Sequence, residues 1–193
     1  YSTEARTMLA FVSLRADGER SFNFYRHPSA DMLLSESDIL TDVIDESDLF
    51  HFGSITMITS PAKEATLFAV DYARKQGKLI AYDPNLRLAL WESDEAARIG
   101  MRSGLDYAHI LKISDEEAYL VLEDEETIPD LFDKFSQLEL VMLTHGDKGS
   151  TVYLKDGSQY QQDGYQVTSV DTTGAGDSFM AGIIVGVLEG LNA

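Results

Sequence analysis

The chain has 193 residues, of which 44% are hydrophobic, so it can bury one sizeable core and we expect one main domain. Its formal net charge of −18, from 33 acidic against 15 basic residues, argues against nucleic acid or an anionic membrane as a partner. Zero cysteines exclude disulfides and thiol nucleophiles, and no apolar run reaches membrane-spanning length. We therefore expect a soluble, cytoplasmic protein, whose acidity is either ordinary for the cytosol or an adaptation to high salt.

The first predicted element is a β-hairpin near the start of the chain. Residues 7–14 and 20–26 are rich in β-forming side chains, and Ala16-Asp17-Gly18-Glu19 between them has turn chemistry. Phe22 and Phe24 give the hairpin an apolar face. The ordinary explanation of such a face is that it packs a small sheet onto the body of the protein, and the pattern alone favours this interpretation.

From residue 36 onward, helical patterns and short apolar strand patterns alternate, which predicts an α/β core over residues 36–193. The predicted strands are at residues 49–55, 78–82, 107–113, 138–144, 151–154, 159–162 and 166–170. The predicted helices are at residues 61–75, 93–103, 114–122, 128–137 and 178–191. This alternation predicts a doubly wound, mostly parallel sheet, in which ligands bind at the carboxyl ends of the strands.

The first polar segment at such a strand end is Asp83-Pro84-Asn85-Leu86-Arg87. Pro84 prevents a helix there and fixes a turn, so an acid, an amide and a guanidinium are presented to one crevice. Arg87 is a planar bidentate donor, which suits the charge on a transferring phosphoryl group. An ordinary Asx-type turn with a surface arginine explains the same pattern.

Two further segments follow later strands. In Lys112-Ile113-Ser114-Asp115-Glu116-Glu117, the serine and the last glutamate form a capping-box pattern, which explains them without any catalytic role. In Thr144-His145-Gly146-Asp147-Lys148-Gly149, the glycines suit a backbone that approaches a ligand closely, and they suit a plain turn as well. Both segments are therefore candidate sites with a structural alternative.

The last segment, Asp171-Thr172-Thr173-Gly174-Ala175-Gly176-Asp177, leads into an apolar helical run. With little side chain in the way, the N–H groups of Gly174, Ala175 and Gly176 can converge on an anion at the helix N-terminus, where the dipole favours negative charge. Asp177 falls in the first turn and can take the proton of a hydroxyl that approaches this anion. A tight strand-to-helix turn with Asp177 as its N-cap is the alternative.

This segment resembles the second signature of the PfkB (ribokinase-like) carbohydrate kinases, Asp-Thr-Thr-Gly-Ala-Gly-Asp followed by a helix of small residues. The resemblance implies that Gly174, Ala175 and Gly176 form the anion hole for the transferring phosphoryl group and that Asp177 is the catalytic base. It implies a ribokinase-like, Rossmann-like fold with a small β lid, here residues 1–35. It also implies that Asp171 and Thr173 help to bind the monovalent cation, K⁺, that many family members use.

Two segments are similar to fructokinases within this family. Residues 9–34 resemble the fructokinase lid, which implies that Arg26 reaches the substrate or phosphate. The pattern Asp83-x-Asn85-x-Arg87 resembles a motif of fructokinases and 2-keto-3-deoxygluconate kinases. In those enzymes the motif lies near the phosphates and the acceptor sugar, so the resemblance implies the same place for Asn85 and Arg87 here.

Two other segments resemble family motifs for the nucleotide and its metal. Ser114-x-x-Glu117 resembles an Asn-x-x-Glu motif, which implies that Glu117 helps to hold Mg²⁺ through water, and serine in place of asparagine matches fructokinases. Thr144-x-Gly146-x-x-Gly149 resembles the family's nucleotide loop. That resemblance implies that these three residues lie beside the phosphates and ribose of ATP.

The resemblance implies transfer of the γ-phosphoryl group of ATP to the primary hydroxyl of fructose. The alternatives are a 2-keto-3-deoxygluconate kinase, another family member such as a ribokinase or nucleoside kinase, and an inactive kinase-like binding protein. We expect a homodimer formed through the lid and no nucleic-acid or membrane partner. The family's amino-terminal third and last helices have no counterpart here, so we expect a fragment with an incomplete core over residues 36–193.

Overall fold

The computed structural model describes residues 2–14 and 20–191, whose strands form two separate sheets. One is an antiparallel pair made of β1 (Leu9–Leu14) and β2 (Arg20–Tyr25). The other has six strands that follow one another in chain order. They are β3 (Leu49–Phe52), β4 (Leu79–Tyr82), β5 (Ile110–Ser114), β6 (Leu140–Thr144), β7 (Gly149–Leu154) and β8 (Gln159–Asp163).

The large sheet is parallel from β3 to β6 and antiparallel from β6 to β8. Helices fill the connections between the parallel strands, because such strands require a crossover. The α-helices of the described residues are α1 (Thr41–Asp45), α2 (Ala62–Lys75), α3 (Asp94–Ser103), α4 (Asp115–Val121), α5 (Ile128–Lys134) and α6 (Ala175–Leu188). Within the described ranges, no helix is both long enough and apolar enough to cross a membrane.

Helices cover both faces of the large sheet, as a doubly wound fold requires. On one face, α1 to α5 enclose the main core, in which Tyr82 and Leu111 are fully buried. On the other face, Met180 of α6 packs in a smaller cluster that includes Ile110. Because side chains alternate along a strand, Lys112 lies on the same face as Ile110, toward α6. The α/β fold predicted from the sequence is confirmed.

The predicted hairpin is present as β1 and β2, whereas its predicted turn, residues 16–19, lies outside the described residues. The rings of Phe22 and Phe24 stack with centroids 5.9 Å apart and face a cleft above the large sheet. On the other side, Phe11 and Tyr25 meet edge to face at 5.6 Å. The hairpin therefore covers the cleft with one aromatic face and exposes a second.

Several predicted elements have wrong boundaries. The helices predicted at 128–137 and 178–191 are Ile128–Lys134 and Ala175–Leu188, and the strands predicted at 138–144 and 151–154 are Leu140–Thr144 and Gly149–Leu154.

Two other strands differ by three residues at one end. The strand predicted at 49–55 ends at Phe52, because the chain soon turns into a 3₁₀ helix over Ile55–Met57. The strand predicted at 107–113 begins only at Ile110. Gly53 and Ser54 favour a turn over a strand, so the first pattern ends early. Before Ile110, the chain is still in the 3₁₀ turn over Gly104–Asp106 and its exit, and of the N–H groups of residues 107–109 only that of His109 reaches a neighbouring strand, at the Ile80 carbonyl oxygen.

The strand predicted at residues 166–170 is wrong. These residues form an irregular segment, in which Val167 is 79% exposed and Val170 is 93% exposed. β-Branched residues form a strand only where a neighbouring strand supplies hydrogen-bond partners and a surface to pack on. The segment connects β8 to the glycine-rich loop without such a partner strand among the described residues.

Candidate active site

A cleft lies between the hairpin and the carboxyl ends of the parallel strands, where ligands of such sheets bind. It contains two adjoining cavities of about 550 Å³ and about 570 Å³, which share Phe22, Asn85, Arg87 and Asp177 in their walls. The first cavity lies under the hairpin aromatics and is mainly apolar. The second is lined by residues 172–177. The four shared residues therefore stand where two ligands would meet.

The glycine-rich loop forms one wall of the second cavity. Gly174 has a φ of 78°, a left-handed conformation, and α6 begins directly after it at Ala175. The first turn of α6 therefore adjoins the cavity, and its dipole favours an anion there. The Ala175 N–H, however, donates to the Thr172 carbonyl oxygen at 3.1 Å. Of the three N–H groups expected to converge on an anion, that of Ala175 is held within the turn.

Asp177 is linked to two other predicted site residues. Its Oδ1 atom accepts a hydrogen bond from Asn85 Nδ2 at 3.2 Å, although 92 residues separate the two in the chain. Asn85 Oδ1 in turn accepts a hydrogen bond from Arg87 at 2.8 Å. The Arg87 guanidinium lies over the Phe22 ring, 5.4 Å from its centroid. The segment after β4 and the start of α6 thus form one polar network beneath the hairpin.

Asp83 and Lys112 form a buried ion pair at the base of the cleft. Lys112 Nζ lies 3.2 Å from Asp83 Oδ1, and the two side chains are 7% and 3% exposed. Burial is the main effect that raises the pKa of Asp83 to about 6. The Lys112 ammonium group lowers this pKa, and the Glu117 carboxylate raises it further. Sequence reasoning did not select Lys112 as a site residue. The signal that identifies it is a lysine inside an otherwise apolar strand.

Glu117 is buried, and both of its carboxylate oxygens accept hydrogen bonds from backbone N–H groups. Oε1 accepts from Leu86 at 2.7 Å, and Oε2 accepts from Ser114 at 2.8 Å. The Ser114 hydroxyl accepts in return from the Glu117 N–H, which completes the predicted capping box. The carboxylate therefore fixes the loop of Arg87 onto the start of α4. A contact between Glu117 and Mg²⁺ through water stays a prediction.

We expect Glu117→Gln to lower the free energy of unfolding by roughly 1–3 kcal/mol, because an amide accepts only one of these hydrogen bonds and leaves a buried N–H unsatisfied. Urea unfolding at neutral pH measures the change. Glu116→Gln is the matched control, since Glu116 is exposed, and it should stay within about 0.5 kcal/mol of wild type. A loss for Glu117→Gln no larger than that of the control would contradict the bridging role.

The predicted nucleotide loop follows β6 and is fixed by His145. The imidazole bonds to the Asp115 carboxylate at 2.8 Å and to the Thr151 hydroxyl at 2.9 Å. Thr144 and Gly146 stand on either side of this anchored residue, at the carboxyl end of β6. The contacts of Thr144 and Gly146 with ATP stay predictions.

Gly149 ends this loop, and the pairing of two strands requires a glycine at this position. A Cβ atom at Gly149 would collide with the Gln162 carbonyl oxygen of β8, so the close pairing of β7 and β8 requires glycine there. This packing explains the residue without a ligand. The glycine therefore gives no evidence for or against a contact with ATP, and that contact stays a prediction.

Arg26 makes contacts other than those the resemblance implies. Its guanidinium is 5% exposed, pairs with Asp31 at 2.8 Å and donates to the Ile55 carbonyl oxygen at 3.1 Å. It lines a separate cavity between the hairpin and α3, not the two cavities that contain Asp177. The geometry thus favours a structural role for Arg26 at the base of the hairpin, and a substrate contact stays a prediction.

Asp171 and Thr173 lie in the exposed segment before the glycine loop. Asp171 Oδ1 accepts a hydrogen bond from the Thr173 N–H at 2.8 Å, which is the pattern of an Asx turn. Within the described part of the chain, no three His, Cys, Asp or Glu side chains converge on one metal position. The K⁺ site that the resemblance implies stays a prediction.

Comparison with known proteins identifies the family of the chain. A family model described as pfkB family carbohydrate kinase matches residues 1–193, the whole chain. Probable fructokinase-4 of Arabidopsis thaliana is 45% identical over 193 residues, which are 98% of this chain and 58% of that protein. The chain thus spans little more than half the length of the curated relatives it matches.

Solved structures give the same result. A Xylella fastidiosa fructokinase with bound ATP superposes with a TM-score of 0.84 at 29% identity, covering 94% of this chain and 56% of that one. A double mutant of Vibrio cholerae O395 fructokinase, in a form bound to fructose, ADP and potassium ion, gives 0.76 at 30% identity, covering 91% and 56%. The chain therefore belongs to the pfkB family of carbohydrate kinases, the family that its glycine-rich segment resembles.

Proposed function

We propose that this protein is an ATP-dependent fructokinase. It transfers the γ-phosphoryl group of ATP to the primary hydroxyl of fructose and releases fructose 6-phosphate and ADP. The observation that carries the proposal is the position of Asp177, whose carboxylate stands between the two cavities of the cleft and beside the glycine loop. The fructokinase names of the relatives support the same substrate.

Fructose occupies the cavity under Phe22 and Phe24, with its primary hydroxyl toward Asp177. The hydroxyl oxygen attacks the γ-phosphorus while the bond to the bridging oxygen of ADP breaks, and Asp177 takes the hydroxyl proton. The hydrogen bond from Asn85 orients the Asp177 carboxylate for this role. Arg87, which lines both cavities, stabilises the charge on the transferring group.

ATP is held at two loops that lie at the same end of the sheet. The loop of Gly174, Ala175 and Gly176 receives the transferring phosphoryl group at the start of α6, where the dipole favours its charge. The N–H groups of Gly174 and Gly176 bind it, and that of Ala175 contributes only if it leaves the Thr172 carbonyl oxygen. Thr144, Gly146 and Gly149 lie beside the remaining phosphates and the ribose. The ATP bound to the Xylella fastidiosa fructokinase supports this nucleotide.

The donors around the second cavity suit a hard cation. Mg²⁺ bound to the ATP phosphates would neutralise part of their charge, and in such sites it keeps several waters. Glu117 is buried and does not line this cavity, and backbone N–H groups already engage its oxygens, so it would contribute only through water. Glu116 lines the same cavity and offers a further carboxylate. Asp171 and Thr173 are the proposed K⁺ ligands, supported by the potassium-bound fructokinase.

A 2-keto-3-deoxygluconate kinase is the second candidate, since Arg87 lines the acceptor cavity and could bind a substrate carboxylate. Fructose is favoured because the relatives at 43–46% identity are named fructokinases. A ribokinase or nucleoside kinase would share the glycine loop and Asp177. An inactive binding protein is disfavoured, because Asp177 and the glycine-rich segment are unaltered relative to the family signature that they resemble and lie together at the cleft.

The substrate is tested by assaying the full-length protein on fructose, ribose, adenosine and 2-keto-3-deoxygluconate with Mg-ATP, because this chain spans little more than half the length of its relatives. We expect kcat/KM for fructose to exceed that for each of the others by roughly tenfold or more. A wrong substrate leaves polar groups of the site without hydrogen-bond partners, which weakens binding of the transition state. A larger kcat/KM for the keto-acid would overturn the choice of fructose. Phosphorylation of none of the four would contradict the kinase proposal itself.

The proposal includes a homodimer formed through the hairpin and a cytoplasmic location. The outer face of β1 and β2 exposes Leu9, Phe11 and Tyr25, which are 55%, 56% and 69% exposed. A contiguous apolar surface of this kind is typical of a protein–protein interface. A second copy of the chain, which carries the same surface, would bury it by a self-complementary contact.

A further inference from the structure

Lys112 is a charged residue in the middle of a buried strand. Its neighbours Leu111 and Ile113 are fully buried in the main core, and its own side chain is only 7% exposed. It extends toward the other face of the sheet, where α6 packs. A lysine is seldom buried unless its charge has partners, so the groups around the Nζ atom indicate what Lys112 does.

Two carboxylates lie near the ammonium group. Lys112 Nζ is 3.2 Å from Asp83 Oδ1 and 3.9 Å from Glu117 Oε2. Glu117 is already engaged by two backbone N–H groups, so Asp83 is the principal partner. This ion pair accounts for part of the position. It does not account for a cation placed beneath the N-terminus of α6, where the helix dipole is repulsive to positive charge.

The third neighbour of Lys112 is the glycine-rich loop. A Cβ atom built on Gly176 would lie 3.3 Å from Lys112 Nζ, so the ammonium group lies directly against the backbone of this loop. Among the described residues, Arg87 and Lys112 are the basic side chains that line the second cavity. A cation and a helix N-terminus that face one another across a short distance both favour an anion between them.

We propose that Lys112 is a further phosphate-binding residue, whose ammonium group contributes a fixed positive charge to the anion held by Gly176 and the start of α6. This inference rests on the proposed kinase function and identifies the ligand as the polyphosphate of a nucleotide. Asp83 holds the ammonium group in place, and the phosphate is its second partner. Lys112 and Arg87 thus supply local positive charge for a polyanion in a chain whose formal net charge is −18.

The test is a double-mutant cycle with four proteins: wild type, Lys112→Met, Asp83→Asn and Asp83→Asn/Lys112→Met. Methionine has nearly the length of lysine without its charge, and asparagine still accepts a hydrogen bond from Lys112. We expect Lys112→Met to weaken ATP binding, measured by calorimetry, by about tenfold or more. The KM for fructose should be unchanged. The same loss of ATP affinity is expected when Lys112→Met is made in the Asp83→Asn protein.

Lys75→Met is the surface control, because it removes one positive charge from an exposed side chain of α2 and should leave ATP binding unchanged. If the loss of ATP affinity disappears in the Asp83→Asn background, Lys112 serves only to neutralise Asp83 and the proposal is overturned. Wild-type ATP affinity in Lys112→Met also overturns it. Should Lys112→Met not fold, the double variant, which lacks the unpaired Asp83 charge, gives the comparison with Asp83→Asn.

Failure of the fructokinase proposal and failure of the phosphate-site proposal give different experimental results. Wild-type protein that binds ATP but phosphorylates no sugar would refute the fructokinase proposal. Loss of ATP affinity in both Lys112 variants would still support the phosphate site in that case. Conversely, active wild-type enzyme with full ATP affinity in Lys112→Met would refute the phosphate site and leave the fructokinase proposal standing.

Discussion

The Asp177→Asn protein is expected to bind ATP as the wild type does and to lose phosphoryl transfer, with kcat lowered roughly a hundredfold or more. The amide cannot take up the proton of the sugar hydroxyl. It can still accept the hydrogen bond from Asn85 through its own oxygen, so the geometry of the cleft is preserved. Steady-state kinetics of the full-length protein with fructose measure kcat, and a calorimetric titration of the same protein measures ATP binding.

Asp94→Asn is the matched control for this prediction. Asp94 is an acidic residue in the first turn of α3 and lines neither cavity of the cleft. Both substitutions remove a favourable charge at a helix N-terminus, which costs about 0.3–1 kcal/mol of stability. Only Asp177→Asn should lower kcat. Small stability losses in both proteins, with near-wild-type turnover, would favour the helix-cap interpretation and remove Asp177 from the mechanism.

Structural features formed by residues close together in the sequence were predictable. The capping box of Ser114 and Glu117 is an example, because its two hydrogen bonds join residues three positions apart. The strand predicted at residues 166–170 shows the limit. Its composition is that of a strand, but pairing depends on an edge of the sheet far away in sequence, and composition carries no information about that edge.

The location of the site was predictable for a similar reason. The polar segments after β4 and β5 follow parallel strands, whose carboxyl ends lie at one edge of a sheet. The contacts within the site were not predictable. Nothing in the spacing of Asn85 and Asp177 indicates that their side chains meet across 92 residues. The position of Lys112 in an apolar strand indicates a buried charge, but its partners Asp83 and Gly176 are distant in sequence and could not be predicted.

Two arginines illustrate what the structure adds to a resemblance. Arg26 and Arg87 both follow a strand, and the sequence suggests a ligand contact for each. Arg26 pairs with Asp31, five residues later, so its charge is neutralised within the fold. Arg87 is held by the neutral Asn85 side chain and by the Phe22 ring, so its positive charge is available to a phosphoryl group. The side chain that each arginine contacts therefore indicates whether its charge is available to a ligand.

Gly174→Val is expected to remove the phosphate site while the fold largely survives. Gly174 has a φ of 78°, which a β-branched residue adopts only at a cost of about 1–3 kcal/mol. An added Cβ would meet only Asp177 Oδ2, at 3.9 Å, so backbone strain rather than collision drives the change. Rotation that relieves the strain turns the N–H groups of the loop away from the phosphate. We expect kcat to fall by roughly a hundredfold, with a higher KM for ATP.

Gly157→Val separates this effect from strain alone. Gly157 has a φ of 88° in the exposed turn between β7 and β8, and an added Cβ there also meets open space. Urea unfolding should show similar losses of stability in the two variants, whereas only Gly174→Val should lose activity. Because the variants share the strain and differ in its location, equal losses of activity would indicate a defect of folding. A native circular dichroism spectrum with unchanged KM and kcat in Gly174→Val would mean that the loop binds no phosphate.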